Sequence, residues 1–89
     1  MKVEIKKKTE IKLPSHCLSI ALGSDEKLYA ACVDGGVYSI DKKGHKDKII
    51  SHDNFVSGVN VSNGAIISSG YDGNIKWTSI DSGKEQRRI

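Results

Sequence analysis

Apolar and polar residues alternate in short runs along most of this chain, and turn-forming residues separate the runs. Leu18, Ile20 and Leu22 alternate with Ser19 and Ala21, which is the period of a strand that buries one face. Similar runs predict strands at residues 18–22, 28–33, 37–41, 45–51, 55–61, 65–70, 74–79 and 84–89. No segment has the period of a helix.

The turn signals repeat. Asp34-Gly35 recurs as Asp72-Gly73, an offset of 72 − 34 = 38 residues. A strand-built unit of this length that occurs twice indicates blades of a β-propeller. Glycine permits the positive φ of a tight hairpin, so Asp34, Gly35, Asp72 and Gly73 are the predicted turn residues. The predicted fold class is therefore all-β, with two four-stranded antiparallel blades that form a partial propeller or part of a ring completed by other chains.

The repeat divides the chain into three parts. Residues 1–13 are predicted to be an N-terminal outer strand, residues 14–50 the first blade and residues 51–89 the second blade. A closed propeller needs at least four blades, so each end of the pair is expected to expose an apolar flank. Either the chain is a fragment of a longer propeller, or copies join head to tail into a ring. In such a ring the N-terminal strand competes with residues 84–89 for the edge of a neighbour's last blade.

Composition narrows the classes of function. None of the apolar runs approaches the length of about 18 residues that a membrane helix needs. The start of the sequence is basic but has no apolar segment behind it, so it does not resemble a secretory signal, and the cytoplasm is the expected location. Cys17 and Cys32 lack the spacing of a metal or redox site and are predicted to be buried thiols. We therefore expect no metal and no cofactor.

Basic residues give a net charge of +3 and gather in three groups. These are Lys2, Lys6, Lys7, Lys8 and Lys12, then Lys42, Lys43, Lys46 and Lys48, then Lys84, Arg87 and Arg88. One group falls on each predicted outer strand, where lysine keeps an exposed edge from pairing with other chains. Nucleic-acid binding is the alternative, but these tracts have few aromatic residues for stacking and also contain acidic residues. A nucleic-acid partner is therefore not expected.

The second unit resembles a WD repeat. In that family a histidine before the innermost strand, a serine or threonine in the second strand, an aspartate in the next turn and a tryptophan in the third strand form a hydrogen-bonded chain. Aligned on the Asp-Gly turn, His52, Ser68 and Asp72 match the first three positions. Thr78 occupies the tryptophan position, and Trp77 precedes it by one residue. Because such a shift reverses the face of a strand, Trp77 is predicted to point into a blade interface and away from Ser68.

The first unit resembles the same pattern more weakly. Leu13, Ala30 and Ile40 stand where the second unit has its histidine, serine and threonine, and only Asp34 keeps the pattern. Apolar packing is expected to replace the hydrogen bonds in this unit. The residues around Asp34, DGGVYSID, also resemble blades of the quinoprotein type.

The resemblance to WD repeats implies a non-catalytic module for protein–protein interaction and scaffolding, with an unidentified protein partner. Its binding surface is expected at the crossings into the innermost strands and at the turns between the second and third strands. The residues predicted to bind the partner are Asp53, Asn54, Phe55, Tyr71 and Val33. Phe55 suits a place in the core equally well.

Three other interpretations stay open. The His52–Asp72 pair is a device for aligning a loop or, alternatively, a catalytic pair, although no nucleophile accompanies it. A propeller enzyme with quinone- or metal-dependent chemistry predicts polar side chains around a central channel, whereas residues such as Leu18 and Val59 on the first strands are apolar. The third interpretation is that the chain is a fragment or building block of a larger propeller and has no independent function.

Overall fold

The computed structural model describes residues 2–5, 9–13, 15–23 and 25–89. Every regular element in these ranges is a β-strand, which confirms the predicted all-β class. A two-stranded sheet contains β1 (Lys2–Ile5) and β2 (Thr9–Lys12). A four-stranded sheet, here called blade 1, contains β3 (Cys17–Leu22), β4 (Leu28–Cys32), β5 (Gly36–Ile40) and β6 (Lys46–Ser51). The second four-stranded sheet, blade 2, contains β7 (Val56–Ser62), β8 (Ala65–Gly70), β9 (Ile75–Ser79) and β10 (Glu85–Arg88).

The N-terminal segment differs from its prediction. Instead of one outer strand within residues 1–13, the described residues form β1 and β2, which pair antiparallel with each other and with neither blade. Residues 6–8, which include part of the first basic group, lie outside the described residues. The alternation of apolar and polar residues is the same in one long strand as in two paired ones, and this stretch has no glycine, asparagine or proline to mark a turn.

Blades 1 and 2 repeat the same backbone plan. In each, every strand pairs antiparallel with the next one in the chain. The ladder between the first two strands is interrupted at the same place, between Cys17 and Ser19 in blade 1 and between Val56 and Gly58 in blade 2. A β-bulge of this kind adds one residue and changes which face the following side chains occupy.

The main core lies between the two blades. This inter-blade core consists of Tyr29, Ala31, Val37, Ile50, Val56 and Ile66. Val59 and Val61 of β7 pack against it from blade 2. Burying an aliphatic or aromatic side chain of this size contributes about 1.5–3 kcal/mol, so the core holds the two sheets face to face. The Val59 amide also donates a hydrogen bond of 3.3 Å to the Ser19 hydroxyl oxygen, which ties the innermost strands together.

A second cluster lies on the opposite face of blade 1. This flank cluster consists of Leu13, Cys17, Ala30, Cys32, Tyr38 and Ile40. Leu13 is almost completely buried and takes the place in blade 1 that His52 has in the repeat of blade 2. Apolar packing therefore occupies this position in blade 1. Within the described ranges, the chain has no helix long and apolar enough to cross a membrane.

The two cysteines allow a direct test of the flank cluster. Cys17 and Cys32 are cross-strand neighbours and both are buried thiols. Burial raises the pKa of Cys17 and raises that of Cys32 to about 11, which lowers the fraction of each thiol that is ionised and reactive. We expect iodoacetamide to label both thiols far more slowly in the native chain than in denaturant at the same pH, as counted by intact mass. Equal labelling rates in the two conditions would contradict this packing.

Candidate binding surface

A buried histidine ties two loops of blade 2 together. His52 precedes β7, and its side chain is fully enclosed. Its Nδ1 lies 3.1 and 3.2 Å from the two carboxylate oxygens of Asp72, and its Nε2 lies 2.9 Å from the Ser68 hydroxyl oxygen. In the tautomer that suits an ionised Asp72, the Nδ1–H group donates a hydrogen bond to the carboxylate, and Nε2 accepts one from the Ser68 hydroxyl. The structure thus brings together three of the four predicted network residues.

Asp72 is the common acceptor of this network. Its carboxylate also accepts hydrogen bonds of 3.0 Å from the backbone amides of Asp53 and Asn74. Burial alone would raise the pKa of Asp72, but the hydrogen bonds from Asn74, His52 and Asp53 outweigh it and hold the pKa well below its usual range. Because the folded-state pKa is lowered, this stabilisation is present at neutral pH and is lost as the pH falls through that pKa. Asp72 therefore joins the turn at residues 70–74 to the loop before β7.

Thr78 is the predicted network residue that lies outside the network. It is buried opposite Ile66 in the ladder, and within the described residues its hydroxyl makes no hydrogen bond to Ser68. Thr78 lines instead a cavity of about 80 Å³ between the blades. Trp77 lies opposite Ile67, on the other face of the sheet, with the Arg87 guanidinium 5.0 Å from its ring centroid. Trp77 therefore takes no part in the His52 network, because it lies on the face of the sheet opposite Ser68.

Blade 1 fixes its turn aspartate with a different side chain. The Tyr38 hydroxyl donates a hydrogen bond of 2.5 Å to the Asp34 carboxylate, which also accepts one from the Gly36 amide at 2.9 Å. Burial and the contact with Asp34 raise the pKa of Tyr38 to about 12. This contact was not among those predicted from the sequence. The sequence pattern that marks it is an aspartate four residues before a tyrosine. The same pattern occurs at Asp25 and Tyr29, where the Tyr29 hydroxyl donates a hydrogen bond of 2.6 Å to the Asp25 carboxylate.

An aromatic pair lies in the same two loops as the His52–Asp72 contact. The rings of Phe55 and Tyr71 stack with centroids 4.3 Å apart and an interplanar angle of 24°. The Tyr71 amide donates a hydrogen bond of 2.9 Å to the Phe55 carbonyl oxygen, so the backbone also holds the two residues together. Phe55 is half-buried and precedes β7, whereas Tyr71 is 65% exposed. Phe55 therefore supports an exposed ring and is not part of the inter-blade core.

The remaining predicted binding residues lie in loops at the same edge of the two blades. Asp53 and Asn54 are exposed in the loop before β7, and the Asn54 side chain accepts a hydrogen bond of 2.8 Å from the Phe55 amide. Val33 is exposed at the corresponding turn of blade 1, where its amide donates to the His16 carbonyl oxygen at 2.9 Å. We call this edge of the two blades, residues 15–16, 33–35, 52–55 and 70–74, the loop edge. All five predicted residues lie on it.

Other polar contacts add to the connection between the blades. The Lys76 ammonium donates a hydrogen bond of 2.5 Å to the Ser51 carbonyl oxygen. Lys76 stands opposite Ser68 on β9, and no local motif predicts its reach into the segment that joins the blades. In the part of the chain that the structure describes, no group of three or more His, Cys, Asp or Glu side chains is arranged to hold a metal ion.

Comparison with known proteins identifies the fold. No protein-family model and no curated protein sequence matches the chain. The crystal structure of Saccharomyces cerevisiae Sqt1 has a TM-score of 0.72 and 18% identity, over 81% of this chain and 20% of that chain. The computationally designed Ika4 protein has a TM-score of 0.69 and 19% identity, over 83% of this chain and 47% of that one. The chain thus spans about a fifth of the first protein and about half of the second. The similarity to these structures shows that its two four-stranded sheets are blades of a partial propeller.

Proposed function

We propose that this chain is a non-catalytic module of WD-repeat type that binds a protein partner through its loop edge and serves as a scaffold. The observation that carries the proposal is the Phe55–Tyr71 stack, which exposes a large ring on a fixed base. A ring that is already ordered loses little conformational entropy when a partner covers it. Tyrosine is also among the residues that contribute most to protein–protein interfaces.

The His52 network supports this proposal because it holds together the two loops that carry Phe55 and Tyr71. Asp72 accepts hydrogen bonds from both loops that carry the stacked rings. The imidazole is enclosed and has its two nitrogens engaged by Asp72 and Ser68, so it serves to position a loop. Exposed polar groups of Asp53 and Asn54 beside the rings supply hydrogen-bonding capacity at the rim of the surface.

The proposal is tested with peptides selected from a displayed library on the immobilised wild-type chain. We expect Tyr71→Ala to weaken binding of the selected peptides about 30-fold, which corresponds to about 2 kcal/mol, because it removes the exposed ring. Tyr71→Phe keeps the stacked ring and should retain most of the affinity, as measured by calorimetric titration. Full binding by Tyr71→Ala would show that the loop edge is the wrong surface.

A second candidate function follows from how little of each similar structure the chain covers. Because it covers only a fifth of one propeller and about half of another, it also suits the role of a portion or building block of a larger propeller. In that case the isolated chain is expected to be partly folded and to select no peptides. Amide hydrogen exchange separates the two candidates, since the first requires protected amides in both blades.

A further inference from the structure

We propose that Cys17 and Cys32 form a site of reversible oxidative modification, at which a small disulfide oxidant such as oxidised glutathione joins the two thiols in an intramolecular disulfide. The residues are 32 − 17 = 15 positions apart, which is no recognised redox spacing, and the fold alone makes them neighbours. They are the two cysteines of the sequence, so any disulfide within the chain joins this pair. The modification needs no protein partner and goes beyond the proposed function.

The register of blade 1 places the two residues opposite each other. Cys17 begins β3 and Cys32 ends β4, and they are cross-strand partners in the ladder. The Val33 amide donates a hydrogen bond of 2.9 Å to the His16 carbonyl oxygen, so the adjacent cysteine pair is a non-hydrogen-bonded one. In such a pair the Cα atoms are about 4.5 Å apart and the side chains approach closely. Disulfides span Cα separations of about 4.4–6.8 Å, so the backbone is already suitably placed.

The two side chains share one environment. Both belong to the flank cluster, on the same face of blade 1, and the Cys32 side chain is a hydrogen-bond partner of the Cys17 thiol. The Cys17 thiol also donates to the Ser19 carbonyl oxygen at 3.3 Å, and the Cys32 thiol donates to the Ala30 carbonyl oxygen at 3.9 Å. A thiol is a weak donor, so little stability is lost when an S–S bond replaces these contacts.

Oxidation by oxidised glutathione takes two exchange steps. The Cys17 thiolate attacks one glutathione sulfur, which forms a mixed disulfide and releases one glutathione thiolate. The Cys32 thiolate then attacks the Cys17 sulfur and releases the second glutathione. The two cysteines lose two protons and two electrons, and the oxidant gains them to become two molecules of glutathione. Cys17 is the first to react, because it is 8% exposed whereas Cys32 is completely buried. Burial raises the pKa of both thiols, so the exchange is slow at neutral pH and quickens as the pH rises.

The disulfide would fix the blade 1 part of the loop edge. Cys17 follows residues 15–16 and Cys32 precedes residues 33–35, which are the segments that blade 1 contributes to this edge. Hydrogen bonds alone join these segments in the thiol form, including one of 3.4 Å from the Asp34 amide to the Ser15 hydroxyl oxygen. A covalent bond at their base keeps them together when those hydrogen bonds open.

The proposal is tested by equilibrating the chain with mixtures of reduced and oxidised glutathione, with and without urea, and measuring intact mass after an acid quench. We expect the native chain to lose about 2 Da, the mass of two hydrogen atoms, and to carry no glutathione. The equilibrium constant for closing the disulfide should be about 100-fold larger in the native chain than in urea, because folding holds the thiols together. By linkage, the oxidised chain should resist unfolding by the same factor.

A double variant, Cys17→Ser with Ser19→Cys, is the matched control. It keeps two thiols at nearly the same spacing, but the Ser19 hydroxyl accepts a hydrogen bond from the Val59 amide, so the new thiol faces blade 2 and not Cys32. Its closing constant should be no larger in the native chain than in urea, with circular dichroism to check that the strands are kept.

The wild-type comparison decides by itself should the control variant unfold. A wild-type closing constant that is equal in the two conditions, or larger in urea, overturns the proposal. A native product that is a glutathione adduct or a cross-linked dimer overturns it as well. A folded control that closes its disulfide as readily as the wild type would show that the register of β3 and β4 does not select the pair, which also overturns it.

Discussion

Replacing His52 by alanine is expected to destabilise the fold by about 3 kcal/mol, because it leaves the buried Ser68 hydroxyl without its partner and opens a cavity beside β8. This is a large share of the free energy of unfolding of a domain of 89 residues. The loops at 52–55 and 70–74 should lose their mutual support at the same time. Urea denaturation at a fixed chain concentration measures the effect, since any self-association makes stability depend on concentration.

His45→Ala is the matched control for this experiment. The His45 Nδ1 lies 3.1 Å from an Asp41 carboxylate oxygen, the same distance as in the His52–Asp72 pair, but its side chain is 75% exposed. Exposed pairs of this kind contribute little to stability, so the denaturation midpoint should stay near that of the wild type. If the two alanine variants lost equal stability, enclosure of the imidazole would not be what makes the blade 2 network stabilising.

Replacing Gly35 by alanine should destabilise the chain more than the same change at Gly73. Both glycines have a left-handed backbone, with φ of +88° and +86°, and an alanine there costs about 1–2 kcal/mol. At Gly35 a Cβ would also lie 2.5 Å from the His52 carbonyl oxygen, whereas at Gly73 nothing lies within 4 Å. The clash with backbone at Gly35 should add about 1–3 kcal/mol.

Gly73→Ala serves as the control because both turns contain the Asp-Gly pair and their glycines have nearly the same φ. The difference between the two unfolding free energies isolates the crowding of the blade 1 turn against the segment that enters blade 2. Thermal or urea unfolding of both variants, analysed with the same slope, provides the comparison. Equal losses at the two positions would mean that the segment at 52–54 moves away without cost.

Local chemistry predicted the turns and most of the strands of this fold. Asp34-Gly35 and Asp72-Gly73 were predicted as hairpins from their glycines, and both glycines have the positive φ that this requires. The strand at residues 65–70 has the predicted bounds, because alanine and isoleucine follow a turn at Asn63-Gly64 that reverses the chain. Positions with a special backbone conformation restrict the residue type strongly, so they can be found from sequence.

The features that the sequence did not predict depend on contacts between residues that are distant in the chain. The bulge between Val56 and Gly58 lets Val56 join Val59 and Val61 at the inter-blade core, which a strict period of two along residues 55–61 does not predict. The N-terminal reversal has no turn residue to mark it. Thr78 fills the family position of tryptophan in the alignment, but it faces the cavity between the blades, and that cavity exists only once both sheets are in place.

The single tryptophan is an intrinsic fluorescent probe of one side of the molecule. Trp77 lies on the outward face of blade 2, beneath Arg87, and the sequence contains no other indole. When tryptophan alone is excited, its fluorescence therefore reports on that side of the molecule without a dye or an introduced label. A shift of its emission, or a change in its accessibility to a soluble quencher, registers whatever covers that blade while leaving the aromatic stack at the other surface unobserved.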